Sequence, residues 1–138
     1  MKTFVREVQI RFHEADPARI LYFGNVFTLA HDTFEDFIVH CGIPWDKWFK
    51  DSPYFVPIKH AECEYKAPFI PGQKYQVHTQ VASISESSFQ MLYTFQQQES
   101  VHAIVKMVHT FADLKTKKKT QVPDEIRKVL TPYLVEMK

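Results

Sequence analysis

Alternating apolar and polar residues mark the first structured segment of the chain. Between Glu7 and Arg11, the residues Val8, Ile10 and Phe12 fall on one side and polar residues on the other. Strict alternation is typical of a β-strand with one buried face. We therefore predict a strand here, with the Phe12 side chain on its apolar face.

A loop and then a helix follow this strand. Residues 13–24 contain Pro17 and end at a Gly-Asn pair, which predicts a loop. Apolar residues then recur at helical spacing, so we predict a helix of about four turns that Asn25 caps. Gly42, with Pro44 shortly after it, is a helix stop. The apolar helix positions are Leu29, Ala30, Phe34, Phe37, Ile38 and Cys41.

From Tyr54 onward the pattern has the period of strands. Turns at 68–72 and 85–88 separate the segments, and a short closing helix is expected to begin near Pro123. Closely spaced strands favour antiparallel pairing, so we expect one α+β domain over residues 1–138. The four predicted strands lie at about 60–65, 75–81, 89–95 and 103–114.

Composition narrows the class of protein. With 45% hydrophobic residues among 138, the chain can bury a core without metals or disulfides. Seventeen basic and sixteen acidic residues give a net charge of +1, so we expect no nucleic-acid partner. No apolar run approaches the ~18 residues of a membrane span, so we expect no membrane partner. Cys41 and Cys63 lie far apart without a CxxC motif, and we expect free thiols and a cytoplasmic protein.

Several common catalytic motifs are missing. The only glycines are Gly24, Gly42 and Gly72, which excludes a GxSxG elbow, a P-loop and a GxGxxG fingerprint. The sequence His60-Ala61-Glu62 is similar to the HxE of zinc deaminases, but the PCxxC partner is missing. We interpret it as the polar face of a strand, and we expect neither a metal nor a cofactor.

The loop before the helix contains better candidates for catalytic residues. It places Glu14 and Asp16 ahead of a helix N-terminus, whose unpaired N–H groups can stabilise an oxyanion on an acyl carbonyl. A carboxylate there can attack that carbonyl or activate a water molecule. From the residues alone the alternative is favoured, because Asp-Pro is a common turn dipeptide and Glu14 can simply be solvated.

The motif His13-Glu14-Ala15-Asp16-Pro17 lies in a segment, residues 8–45, that resembles the 4-hydroxybenzoyl-CoA thioesterase family in its Asp-dependent branch. The segment Glu64-Tyr65-Lys66-Ala67-Pro68 also fits the family. The resemblance implies a hotdog fold, in which a five-stranded antiparallel sheet wraps around one long central helix. It also implies a homodimer or homotetramer with active sites at the dimer interface. The implied substrate is an acyl-CoA thioester with an aromatic or medium-length acyl group.

The resemblance assigns roles to residues of the loop. Asp16 matches the family's catalytic carboxylate, which acts as nucleophile or general base. Phe23 matches the residue whose backbone N–H polarises the thioester carbonyl. Asn25 matches the asparagine that follows, interpreted as a helix cap. Tyr22 and Asn25 are counted among the candidate substrate-binding residues, together with Arg19 and His31.

Three positions depart from the family's pattern. Arg19 replaces a usual glycine, so we expect a different loop conformation or pocket mouth; alternatively, Arg19 meets an anionic substrate group. His31 stands where many relatives have an acid, and is either a hydrogen-bonded buried histidine or a catalytic or substrate contact. Glu86 lies in a turn, 85–88, that is basic in the hydroxybenzoyl-type relatives and binds nucleotide phosphates there. A carboxylate would repel phosphate, so CoA must be held differently or the acyl carrier is not CoA.

Alternatives remain open. The run Lys115–Lys119 either supplies the missing positive charge or protects a sheet edge from aggregation. The aromatic residues Trp45, Trp48, Tyr54 and Phe55 either line an acyl pocket or belong to the core. The alternative functions are hydrolysis of acyl groups from acyl carrier protein and a non-catalytic module that binds acyl-CoA.

Overall fold

The computed structural model describes residues 1–136. In chain order the elements are β1 (Phe4–Gln9), α1 (Asn25–His40), α2 (Trp45–Phe49), β2 (Tyr54–Phe55), β3 (Ile58–Tyr65), β4 (Lys74–Ile84), β5 (Ser88–Gln97), β6 (Ser100–Thr110), β7 (Ala112–Asp113) and α3 (Asp124–Leu130). Short 3₁₀ turns cover Phe12–Glu14 and Thr131–Tyr133. Five strands form one antiparallel sheet in the order β1-β4-β5-β6-β3, and β2 pairs with β7 in a separate two-stranded ribbon.

The core lies between α1 and one face of the sheet. Alternate residues of β4, β5 and β6 are buried, as expected for a sheet with one covered face. The buried residues of α1 recur at the spacing of one helix face, and each large one contributes about 1.5–3 kcal/mol by leaving water. They are Val26, Leu29, Ala30, Thr33, Phe34, Phe37 and Ile38.

Strand β3 is an edge strand with unusual exposure. It pairs on one side with β6, from Ile58 opposite His109 to Tyr65 opposite Ala103. On its other side nothing in residues 1–136 pairs with it, and every side chain except half-buried Cys63 is exposed. An eight-residue edge of this kind presents a row of free backbone donors and acceptors.

Most predicted elements are confirmed. The four later strands, the turns between them and the closing helix appear near their expected positions. The helix ends at His40, and Gly42 shortly after it has a φ of 91°, the left-handed conformation that favours glycine and stops the helix as predicted. The α+β class with a five-stranded antiparallel sheet is therefore confirmed.

Two local predictions were wrong. Phe12 lies beyond the end of β1 in a 3₁₀ turn and is 91% exposed, because the chain leaves the sheet after the Ile10 N–H bonds to the Gln73 carbonyl. Asn25 is the first residue of α1 and does not cap it; Gly24 occupies the N-cap. The elements α2, β2 and β7 were not predicted, since segments of two to five residues carry too little periodicity to detect.

Candidate active site

The loop that carries Asp16 folds as a miniature hairpin. The Asp16 N–H donates to the Ile20 carbonyl at 3.0 Å, and the Tyr22 N–H donates to the Glu14 carbonyl at 2.9 Å. At the tip, the Arg19 N–H donates to the Asp16 carbonyl at 2.9 Å and closes a β-turn. This pairing fixes the backbone on both sides of Asp16.

One oxygen of the Asp16 carboxylate takes part in this turn, and the other does not. Its Oδ1 accepts the Ala18 N–H at 2.8 Å, the pattern of an Asx turn. Within residues 1–136 nothing donates a hydrogen bond to its Oδ2. The side chain is half-buried, so one carboxylate oxygen is held in place while the other is left to react.

Arg19 adopts a φ of 66°, in the left-handed region. We expected that an arginine, where the family usually has glycine, changes the loop conformation or the pocket mouth. This conformation is one that glycine adopts freely, and it costs roughly 1 kcal/mol for a residue with a Cβ. The two hydrogen bonds of the hairpin impose this geometry on Arg19.

The start of α1 presents two free backbone donors. Neither the Phe23 N–H nor the Gly24 N–H has an acceptor in the described part of the chain. The Asn25 N–H donates to the Tyr22 carbonyl at 2.9 Å. Because the C=O and N–H of a trans peptide point in opposite directions, this bond directs the Phe23 N–H away from the helix start. A developing oxyanion can be bound by a donor held in this way.

Asn25 ties the helix start to the Asp16 loop. Its side-chain Nδ2 donates to the Glu14 carbonyl at 2.9 Å, the same oxygen that accepts the Tyr22 N–H. Asn25 therefore acts on the backbone of the loop, and the interpretation as a helix cap is replaced by this contact. The result is one rigid unit that contains both Asp16 and Phe23.

Tyr65 is a site residue that the sequence did not reveal. Its hydroxyl, at the end of β3, donates a hydrogen bond to the Phe23 carbonyl. Desolvation raises the pKa of Tyr65, so the hydroxyl remains a donor at neutral pH. The residue lies in the segment 64–68 that resembles the family, but its contact spans 42 positions and leaves no local pattern.

Two cavities flank this unit. The Asp16 cavity, about 650 Å³, is lined by Asp16, Arg19, Phe12, His13 and Pro71, among others. The Phe23 cavity, about 400 Å³, is mainly apolar and is lined by Phe23, Ile20, Leu21, Tyr65, Lys66 and Phe69, among others. Asp16 thus lines one cavity, and Phe23 lines the other, mainly apolar one.

Tyr22 and His31 occupy different surroundings. The Tyr22 ring packs on Phe23, with centroids 4.8 Å apart, so it supports the helix start. His31 lies almost two turns further along α1, and its Nδ1 is 3.0 Å from Oε2 of Glu35. It borders a separate cavity of about 350 Å³ with Phe27, Ile58 and Met107. Within the described chain His31 and Asp16 do not line a common cavity.

The remaining candidates lie at the opposite end of the sheet. Trp48, Tyr54 and Phe55 line a further cavity of about 310 Å³, away from Asp16. Trp48 is 6% exposed, which fits the core interpretation, whereas Trp45 is 54% exposed. The Nε2 of His60 lies 3.0 Å from Oε1 of Glu62 on exposed β3, as expected for a polar strand face. The sequence-predicted candidates therefore separate into two groups.

No helix in residues 1–136 is both long enough and apolar enough to cross a membrane. Over the same residues, no three side chains of His, Cys, Asp and Glu are grouped so that they could hold a metal ion.

Comparisons with known proteins agree on the family. The 1,4-dihydroxy-2-naphthoyl-CoA hydrolase of Microcystis aeruginosa is 29% identical over 114 residues, which is 83% of each chain. A 1,4-dihydroxy-2-naphthoyl-CoA thioesterase from Synechocystis superposes with a TM-score of 0.87, at 22% identity, over 94% of this chain and 96% of its own. A gentisyl-coenzyme A thioesterase superposes with a TM-score of 0.81, at 21% identity, over 93% of this chain and 99% of its own.

At these identities the two superpositions show the fold alone. The sequence relatives from Microcystis aeruginosa and Synechococcus elongatus are both named for the hydrolysis of a CoA thioester, which confirms the prediction of a thioester hydrolase at the level of the family. None of these names specifies 4-hydroxybenzoyl-CoA, so the predicted membership of the 4-hydroxybenzoyl-CoA thioesterase family is supported only at the level of the superfamily. The family model for the thioesterase-like superfamily matches residues 10–130, which cover the Asp16 loop, α1 and the whole sheet after β1. The chain therefore belongs to the thioesterase-like superfamily.

Proposed function

We propose that this protein hydrolyses an aromatic acyl-CoA thioester to the free acid and CoA. The observation that carries the proposal is the hydrogen-bonded loop, which holds both Asp16, with its free Oδ2, and Phe23, with its free N–H. Acyl transfer needs at least a nucleophile or a general base that acts on the thioester carbonyl and a donor that binds the oxyanion. The finer assignment to the Asp-dependent branch of the 4-hydroxybenzoyl-CoA thioesterases belongs to the same proposal.

The chemistry has two possible first steps. Asp16 attacks the thioester carbonyl and expels the CoA thiolate, which leaves a mixed anhydride for water to hydrolyse; alternatively, Asp16 removes a proton from the attacking water. In both routes the Phe23 N–H binds the carbonyl oxygen as negative charge develops on it. Water supplies the oxygen of the acid product and the proton that the CoA thiol gains.

The acyl group is expected to be aromatic because of the Phe23 cavity. Its volume of about 400 Å³ and its walls of Phe69, Leu21 and Tyr65 suit a planar ring. The relatives named for dihydroxynaphthoyl and gentisyl thioesters also act on aromatic acyl groups. Arg19, at the mouth of the Asp16 cavity, is proposed to contact an anionic group of the substrate.

The active unit is proposed to be a homodimer, or a homotetramer built from such dimers. Two copies of β3 would pair antiparallel about a twofold axis and satisfy the free edge. A register centred on Ala61 places His60 opposite Glu62 of the partner subunit. A register centred on Glu62 would instead oppose two carboxylates, which destabilises a cross-strand pair. We therefore favour the register centred on Ala61.

The proposal also covers the domain organisation and the cellular compartment. We treat residues 1–138 as one thioesterase domain whose sheet curves around α1 as in the hotdog fold, although residues 137–138 lie outside the described part. The free thiols of Cys41 and Cys63 suit a reducing compartment, and we propose the cytoplasm.

Replacement of Asp16 by asparagine tests the function. Asparagine keeps an Oδ1 that can accept the Ala18 N–H, so the turn and the melting temperature are expected to be retained. The value of kcat/KM for aromatic acyl-CoA, followed by thiol release, is expected to fall by roughly 10²-fold or more. His13→Gln, which alters the same cavity wall without the carboxylate, is the matched control and is expected to lose far less.

Two outcomes would contradict the proposal. A folded Asp16→Asn variant with parental turnover would remove Asp16 from the chemistry. Saturable acyl-CoA binding without turnover by the parent protein would support the non-catalytic module. Assays of one acyl group on CoA and on acyl carrier protein decide the carrier by the ratio of their kcat/KM values.

A further inference from the structure

The lysine run forms the tip of the hairpin that follows β7. The carboxylate of Asp113 accepts the N–H groups of Lys115 and Thr116 at 2.9 and 2.8 Å, and Lys117 turns the chain with a φ of 65°. These bonds give the tip a defined shape. The four lysine side chains of the tip are exposed: Lys115, Lys117, Lys118 and Lys119.

This tip lies next to a cavity, which we call the lysine cavity, of about 310 Å³. Its walls include Lys50, Tyr54, Phe55, Pro57 and Leu114. The Lys117 ammonium stands 4.9 Å from the centre of the Phe55 ring, a cation–π contact, and donates to the Leu114 carbonyl at 2.7 Å. Cationic and aromatic groups therefore share one surface.

Within residues 1–136, no ammonium group of this surface lies within ion-pair distance of a carboxylate, and the one electrostatic interaction is the weaker one between Lys115 and Asp113. Elsewhere Lys47 pairs with Glu125, Lys66 with Glu64 and Lys74 with Glu7. Over residues 1–136 no comparable ion pair is formed by any of the five lysines at the tip and the cavity, namely Lys50, Lys115, Lys117, Lys118 and Lys119. Five lysines without a close ion pair, beside an aromatic wall, suit a ligand that combines phosphate groups with a flat base.

We propose that the lysine cavity and the hairpin tip bind the 3′-phosphorylated adenosine diphosphate end of CoA, and that they serve the active site of the partner subunit. The proposal rests on the proposed function. It also removes the difficulty raised by Glu86, since the phosphates then contact the neighbouring hairpin and not the turn 85–88.

The length of β3 separates the two cavities within one subunit, which is why we assign the lysine cavity to the active site of the partner subunit. The lysine cavity adjoins the Ile58 end of this strand, whereas Tyr65 and the Phe23 cavity lie at the other end, roughly 23 Å away. In the register centred on Ala61, the Tyr65 end of β3 lies beside the Ile58 end of β3 in the partner subunit. Since Tyr65 lines the Phe23 cavity and Pro57 lines the lysine cavity, the two cavities become neighbours across the interface.

Binding of CoA and of adenosine 3′,5′-bisphosphate, measured by calorimetry, tests the site without any need for turnover. The double variant Lys117→Gln with Lys118→Gln, which we call the hairpin variant, is expected to bind both ligands roughly tenfold more weakly. Its binding is also expected to depend less on salt. The matched double variant is Lys2→Gln with Lys128→Gln, which removes two exposed charges that do not line the cavity and is expected to bind as the parent does. Equal affinity in all three proteins, or no CoA binding by the parent, overturns the proposal.

Kinetics separate this inference from the thioesterase assignment. The hairpin variant is expected to raise KM for acyl-CoA roughly tenfold with little change in kcat, and to leave hydrolysis of the matching acyl-N-acetylcysteamine unchanged, since that thioester has no nucleotide. Hydrolysis of both thioesters with parental KM values retains the function and overturns the site. CoA binding that weakens in the hairpin variant, without hydrolysis of any thioester, retains the site and overturns the function.

Mixed dimers test which subunit supplies the lysines. Each hybrid of Asp16→Asn with the hairpin variant contains one subunit with an intact Asp16 and one with an intact hairpin. If the hairpin serves the partner subunit, these meet in one complete site, and the hybrid regains parental KM at about half the parental kcat. A hybrid that keeps the raised KM of the hairpin variant overturns the cross-subunit arrangement.

Discussion

The hydroxyl of Tyr65, the last residue of β3, donates a hydrogen bond to the carbonyl of Phe23, just before α1. This bond connects the edge of the sheet to the peptide that carries the Gly24 N–H. The adjacent peptide carries the Phe23 N–H and is held through Asn25. Both free donors of the helix start are therefore oriented by residues outside the Asp16 loop.

Tyr65→Phe is expected to reduce catalysis without blocking binding. Loss of the hydroxyl frees the Phe23 carbonyl, so the oxyanion donors become less well ordered, and kcat is expected to fall about tenfold with a small change in KM. Steady-state assays with an aromatic acyl-CoA measure both values. The control is Tyr93→Phe, because the buried Tyr93 hydroxyl has no hydrogen-bond partner in the described chain and its loss is expected to leave kcat unchanged. An unchanged kcat in Tyr65→Phe would contradict the positioning role.

Arg19→Gly is expected to stabilise the protein by about 1 kcal/mol, because glycine adopts the φ of 66° without steric strain. Urea unfolding measures the free energy of unfolding, and the midpoint should rise at constant slope. Arg19→Ala also removes the guanidinium but keeps a Cβ, so it should not stabilise. If alanine stabilised as much as glycine, the gain would come from loss of the arginine side chain and not from relief of strain.

Gly24→Ala is expected to destabilise the helix start through one specific contact. A Cβ at Gly24 would lie 2.9 Å from Cε2 of Tyr22, so that ring must move off Phe23. The backbone there is already helical, so conformational strain is not the cause. The double variant with Tyr22→Ala removes the conflict, and a double-mutant cycle on unfolding free energies should give a coupling of about 1 kcal/mol. Additive effects would show that the ring moves aside freely.

Periodicity made the sheet and α1 predictable, whereas the details of the site were not. The buried faces of α1 and of the long strands repeat at 3.6 and 2 residues, so the sequence displays them directly. Phe12 continues the alternation of β1 but lies outside it, because the turn after Ile10 depends on a bond to Gln73. A contact with a residue more than sixty positions away has no signature in the local pattern.

The Asp16 loop was also only partly predictable. Asp16 and Phe23 were predicted as site residues from the family resemblance and from their place before a helix. The roles of Asn25 and Tyr65 were not, because each acts on a backbone carbonyl of another segment. Arg19 departs from the usual backbone preference of an arginine, because its left-handed φ of 66° lies in a turn that its own N–H closes on the Asp16 carbonyl.

His109 supplies the last prediction, which concerns acid stability. It is 2% exposed, stacks between Phe34 and Phe89 at centroid distances of 4.4 and 4.9 Å, and leaves its Nε2 without a partner in the described chain. Desolvation, with a smaller contribution from His31, lowers the pKa of His109 from 6.5 to about 3. Between these two pH values the unfolded chain binds a proton that the folded chain does not. The contribution of His109 to stability is therefore complete above pH 6.5 and is lost as the pH falls toward 3, by up to about 1.4 kcal/mol per pH unit.

His109→Phe keeps an aromatic ring between Phe34 and Phe89 but has no titrating group. Its free energy of unfolding, measured by urea titration at a series of pH values, should decline less steeply than that of the parent between pH 6.5 and 3. Carboxylates also titrate in this range, so the difference between the two proteins isolates His109. Parallel pH profiles would mean that His109 binds its proton equally well in the folded and unfolded chains. A difference that grows above pH 6.5 would have the wrong sign for a histidine held neutral by burial.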